Sequence, residues 1–250
     1  MYRYFLKLSF KGTNFHGWQS QKNAKTIQDE INKVLSLKLA EDINATGAGR
    51  TDTGVHAKLF YAHFDSIKSD LHINKNIIKD INSFLHPDVA LSEIIQVKAD
   101  AHARFSASER TYKYYIHQKK NPFICEFSYY YPYYLDIELM NKASEVLMAA
   151  TNFKSFCKSH SDNKSFECKL TECEWSQADD NIVFKISADR FLRNMVRAIV
   201  GTMIDIGRKK YGIEELHRIV ASKDRKLAGK SVPANGLFLT GIKYPLEIFV

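Results

Sequence analysis

Polar and apolar positions alternate over the first ten residues, with Tyr2, Tyr4, Leu6, Leu8 and Phe10 on one face, and this period of two predicts an opening strand. A turn over 11–14 leads into the loop FHGWQSQ. Thr26 with Asp29 three residues on has the form of a capping box, and Ile27, Ile31, Val34 and Leu35 follow at helical spacing, which predicts a helix ending near Leu39. Strands are expected on both sides of the glycine-rich segment 47–57, the second over 59–64. A helix from about Asn74 must stop ahead of Pro87, and 89–97 reads as another strand. Strand, helix, strand, strand, helix, strand is the split βαβ plan of ferredoxin-like half-sandwiches.

The pattern then starts over. A strand is expected over 111–117, followed by a helix capped by Asp136 and carrying Leu139, Met140, Ala143, Val146 and Leu147. Segments 170–176 and 182–187 form a hairpin across ADDN; a long helix from about Phe191, a short one over 214–220 and a last strand over 237–244 complete the chain. The predicted class is α+β: two ferredoxin-like halves with antiparallel sheets joined across a central basic cleft. The boundary falls between Ala99 and Ala107, giving an N-terminal domain 1–103 and a C-terminal domain 104–250.

Composition narrows the partners. With 45% hydrophobic residues in 250, the chain can bury a core, and its net charge of +8 favours a polyanionic partner without by itself specifying nucleic acid. The N-terminus lacks the basic-then-apolar order of a signal peptide. The most apolar stretch, 191–206, is interrupted by Arg193, Arg197 and Asp205, so it reads as a core helix and no membrane association is expected. Cys125, Cys157, Cys168 and Cys173 form no CxxC pair and fit free thiols in a reducing cytoplasm. A zinc set from Cys157, His160, Cys168 and Cys173 has irregular spacing, and no metal is expected.

Three segments carry candidate chemistry. GAGRTDTGVHA, residues 47–57, gathers glycines around Arg50, Asp52 and His56 between two strands; such a loop allows close approach of a ligand, while Asp52 taken alone reads first as a turn or cap residue and only second as a catalytic one. FLRNMVRAIVG is apolar around nearly its whole circumference yet embeds Arg193 and Arg197; a guanidinium on a buried helix needs an anion, in a structural ion pair or in a site. ARFSASERTYKYYI brings Arg104 and Arg110 near Tyr112 and Tyr114, which serve either as core or as a platform for an extruded base. The tyrosines at 129, 130, 131, 133 and 134 offer the same choice between edge packing and stacking.

Taken together and in order, KGTNFHGWQSQ, GRTDTGVHA, ARFSA with RTYKY, FLRNMVRAIVGT and NGLFLTGIKYP resemble the tRNA pseudouridine synthase A family nearly end to end. The resemblance implies an isomerase that converts uridine to pseudouridine at positions 38, 39 and 40 of the anticodon stem-loop, a homodimer with tRNA as its partner, and no cofactor. It implies Asp52 as the catalytic nucleophile, Arg197 as its paired cation, Tyr112 as the stacking residue beneath the uracil, and Arg50 as the residue that helps turn the base out. RNA contacts are expected from Lys11, Trp18, Gln19, His56, Arg104, Arg110 and Arg193. Thr53 stands where the family commonly has Ala, and Lys11 where it has Asp; the second change bears on docking rather than on reaction type. Two other readings stay open: the same chemistry on a different RNA, and a non-catalytic RNA-binding or RNA-folding protein, against which a carboxylate facing a polyanion argues.

Overall fold

The computed structural model describes residues 1–159 and 164–250. They form two compact units, one of Met1–Ser108 with Leu239–Val250 and one of Glu109–Phe238. Sequence reasoning cuts the chain once and assigns everything after 103 to the second half; in the structure the last residues return to the first unit. The cause is local bonding. Lys98 N–H donates to the Ile248 carbonyl at 2.9 Å, the Tyr244 hydroxyl donates to the Ala103 carbonyl at 2.6 Å, and Phe5 meets Tyr244 at 5.1 Å between ring centroids.

The first unit runs β1 (Tyr2–Phe10), α1 (Ile27–Leu39), β2 (Thr46–Gly47), β3 (His56–Ser66), α2 (Lys75–Asn82) and β4 (Val89–Val97). β1 lies between β3 and β4, and the short β2 flanks β3, every pairing antiparallel, as the split βαβ plan requires. Tyr4, Leu6, Leu8 and Phe10 are buried as the alternation predicts; Phe5 is buried as well, because the returning C-terminus covers the other face. α1 starts where its cap predicts: Thr26 Oγ1 accepts the Asp29 N–H at 3.2 Å. Its stop at Leu39 is followed by Ala40 in the left-handed region at φ 55°.

The second unit runs β5 (Glu109–His117), β6 (Tyr129–Tyr130), α3 (Ile137–Ala149), β7 (Leu170–Ala178), β8 (Asn181–Ala188), α4 (Met195–Gly207) and α5 (Ile213–Ser222); the last strand, β9 (Leu237–Lys243), begins in it and from Leu239 belongs to the first unit. β8 pairs antiparallel with both β5 and β7, and β6 lies parallel to β5. Tyr114 pairs in register with Phe184, and Trp175 stacks on Phe184 at 4.4 Å, so one sheet face is an aromatic core. α3 locks onto β7 through the Asn141 amide, which donates to the Trp175 carbonyl at 2.9 Å and accepts its N–H at 2.8 Å. α4 is the core helix: all its residues except Arg197 and Asp205 are buried. Its first turn opens at Met195 rather than Phe191, because Asn194 takes a left-handed conformation at φ 65° that ends the preceding segment. Among the described residues no helix is long and apolar enough to cross a membrane.

Candidate functional site

In the first unit, the loop between β2 and β3 holds Arg50 and Asp52. Arg50 is exposed and Asp52 half-buried, while Val55, His56 and Ala57 behind them are buried. The loop is held from below by the segment 12–18. Trp18 N–H donates to Thr51 Oγ1 at 3.0 Å, Gly54 N–H to the Phe15 carbonyl at 3.3 Å, and Gly12 N–H to His56 Nδ1 at 3.1 Å. Within the loop, Val55 N–H donates to the Asp52 carbonyl at 3.2 Å, closing a tight turn in which Gly54 takes φ +78°. The result is a carboxylate on a short, bonded loop rather than on a mobile one.

Two close approaches depend on glycine. A Cβ on Gly17, at φ +86°, would lie 2.1 Å from the Thr51 carbonyl oxygen, and one on Gly47 would lie 2.5 Å from the Trp18 indole. Gly49 differs: a Cβ there meets nothing within 4 Å, so the protein's own packing does not require it.

The second unit carries the candidates Tyr112 and Arg197. Tyr112 is half-buried near the start of β5, in register with Ile186, and meets Phe191 edge-on at 5.1 Å. Tyr114, two residues on, is fully buried and belongs to the core; its hydroxyl donates to the Pro233 carbonyl at 2.8 Å. Burial pushes the Tyr114 phenol well up, the nearby Tyr129 adds to this, and Arg197 opposes it. Arg197 is half-buried on α4, and its Nε donates to the Val232 carbonyl at 2.7 Å. That bond is local to the second unit and fixes where the guanidinium stands.

The remaining candidates separate by burial. Trp18 and His56, expected as RNA contacts, are each only 1% exposed. Both pack instead: Trp18 stacks on Phe60 at 4.4 Å, and His56 Nδ1 anchors Gly12. Lys11 and Gln19 are half-buried, and the Gln19 amide donates to Gln28 Oε1 at 2.9 Å. Arg104 and Arg193 are exposed; Arg110 donates to the Asp189 carbonyl at 2.8 Å. Of the cysteines weighed as zinc ligands, Cys168 and Cys173 have thiols pushed up to about 12 by burial, which favours the protonated form over the thiolate that binds metal. His160 lies outside the described residues. Thr51 and Gly17, which the sequence motifs alone do not single out, make the close approach between this loop and the segment 12–18; the glycine between two aromatics in FHGWQ is its signal in the sequence.

A family model described as tRNA pseudouridine synthase matches residues 145–245. The chain is 45% identical over 252 residues to a tRNA pseudouridine synthase A of Bacteroides thetaiotaomicron, spanning 100% of this chain and 93% of the relative. It is 46% identical to one of Bacteroides fragilis, over 99% and 98%, and 37% identical to one of Caldicellulosiruptor saccharolyticus, over 96% and 98%.

Proposed function

The chain belongs to the tRNA pseudouridine synthase A family, and from that premise we propose that it isomerises uridine to pseudouridine in tRNA with Asp52 as the attacking carboxylate. The carrying observation is the similarity over the whole chain, in which Asp52 sits half-exposed on a loop whose backbone is bonded on both sides.

In the reaction, the N1–C1′ bond breaks, the uracil turns while still held, and a C5–C1′ bond forms; C5 gives up its proton and N1 gains one. A carboxylate oxygen of Asp52 attacks C1′ and later leaves it, or the same group works through proton removal at C2′. Either role needs an anion, and Arg197 is the cation proposed to accompany it. Tyr112 stacks on the extruded uracil, and Arg50 steadies the emptied position. Stacking offsets part of the few kcal/mol that unstacking costs, as an order of magnitude. Exposed Arg104 and Arg193, together with Lys11, would contact phosphates. The targets proposed are uridines 38, 39 and 40 of the anticodon stem-loop, and the working form a cytoplasmic homodimer.

Incubation with unmodified tRNA and mapping by mass spectrometry tests this reading. Pseudouridine at 38–40 is the expected product. Modification elsewhere would favour the same chemistry on another RNA, and binding without any pseudouridine would favour a non-catalytic role.

A further inference from the structure

The loop that presents Asp52 is closed by the Val55 N–H bond to the Asp52 carbonyl and is tied to the segment 12–18 through the residue before it. Thr51, immediately before it, meets the segment 12–18 twice: its Oγ1 accepts the Trp18 N–H at 3.0 Å, and its carbonyl oxygen lies 2.1 Å from where a Gly17 Cβ would stand. That segment is tied in turn to α1. Ile27 N–H donates to the Gly17 carbonyl at 3.2 Å and Gln28 N–H to the Trp18 carbonyl at 3.0 Å, so the amide groups at the start of the helix hold the strip that holds Thr51. The buried Gln28 side chain completes the brace, accepting from Ser20 N–H at 2.9 Å and donating to the Ala45 carbonyl at 2.8 Å, just ahead of β2.

We propose that Thr51 is a positioning residue for the Asp52 carboxylate, transmitting the rigidity of α1 to the reacting group through the Trp18 N–H and the Gly17 contact. The inference rests on the reading of Asp52 as nucleophile. Attack at a ribose carbon depends steeply on placement, and a displacement of about 1 Å costs on the order of 100-fold in rate. Threonine suits the post: its hydroxyl accepts from a main-chain donor that would otherwise lose its partner in a partly buried position. Gly17 suits its own because no side chain fits between the two strips.

The test compares Thr51→Val, Thr51→Ala and Thr51→Ser with the wild type and with Asp52→Ala, all as full-length protein on unmodified tRNA. Readouts are the single-turnover rate at saturating tRNA, tRNA affinity and thermal melting. Valine and alanine remove the acceptor and are expected to lower the rate about 10- to 100-fold with affinity within about threefold. Serine, which keeps the oxygen, is expected to stay within about threefold of wild type in rate. Should the valine variant fail to fold, the alanine variant carries the comparison. Wild-type rates in the acceptor-less variants overturn the proposal, as does equal loss in the serine and valine variants. Asp52→Ala separates the two levels: if it turns over, the nucleophile reading itself fails, whereas an inactive Asp52→Ala beside a fully active Thr51→Val sinks only the positioning role.

Discussion

The Trp18 indole occupies the space that a side chain on Gly47 would need, 2.5 Å from its Cβ position, while stacked on Phe60 at 4.4 Å. A Gly47→Ala variant must therefore shift a buried ring, and we expect it to lose about 1–3 kcal/mol of stability. Gly49→Ala meets open space and should melt with the wild type. If RNA backbone approaches at Gly49, that variant weakens tRNA binding severalfold; paired melting and filter-binding curves check both halves.

The contrast between these glycines shows what the sequence could express. Periodicity places β1 by its alternation and α1 and α3 by a buried face and a cap residue each: Thr26 and Asp136 mark the two helix starts to the residue. β6 went unread because two residues carry no period, and the return of the C-terminus to the first unit because pairing between distant segments leaves no local trace. The candidates Asp52 and Arg197 stand out as charges in glycine-rich and apolar surroundings, but the residues alone leave a turn or cap and a structural ion pair open, and the roles proposed for them come from the family resemblance. Trp18 and His56 shared the same motif-rich segments but turn inward, since residue type alone does not reveal which side of a loop faces solvent.

Arg197 is bonded in both directions to one residue: its Nε donates to the Val232 carbonyl at 2.7 Å, and its own carbonyl accepts the Val232 N–H at 3.2 Å. Lysine keeps the charge but has no Nε to donate. Arg197→Lys should cost about 1 kcal/mol of stability and lower turnover at least tenfold. Reduced stability with wild-type turnover would make the residue structural only.

Tyr112 is proposed to act through its ring. Tyr112→Phe should retain most activity, because stacking and the edge contact to Phe191 survive, whereas Tyr112→Ala should lose roughly 1–3 kcal/mol of stacking and turn over more than tenfold slower. A large loss in the phenylalanine variant would instead assign the hydroxyl a proton-transfer step.

His63 predicts a pH dependence of stability. Its Nδ1 accepts the Ala103 N–H at 3.2 Å; burial pushes its pKa down to about 4, with His102 and Arg3 reinforcing the fall and Asp65 opposing it. His102, whose Nδ1 accepts from Arg104 N–H at 3.1 Å, is lowered as well, first by burial and then by Arg3 and Arg104. The unfolded chain therefore takes up these protons first. Stability is full above about pH 6.5 and falls as pH drops from there towards about 4, where folded His63 is protonated too. The Arg3 guanidinium holds the Asp65 carboxyl below its usual range, so its contribution is lost only at lower pH. His63→Asn, with an oxygen to accept the Ala103 N–H, should flatten the slope of urea-unfolding free energy between pH 7 and 4.5. An unchanged slope would contradict this assignment.

One carboxylate, that of Asp52, is proposed to carry the chemistry. The most direct measurement is single-turnover pseudouridine formation on unmodified tRNA by wild type and Asp52→Ala, read by mass spectrometry with binding measured in parallel. No detectable pseudouridine is expected from the variant, with tRNA affinity within a few-fold of wild type. Product formation by Asp52→Ala at the wild-type rate would contradict that role.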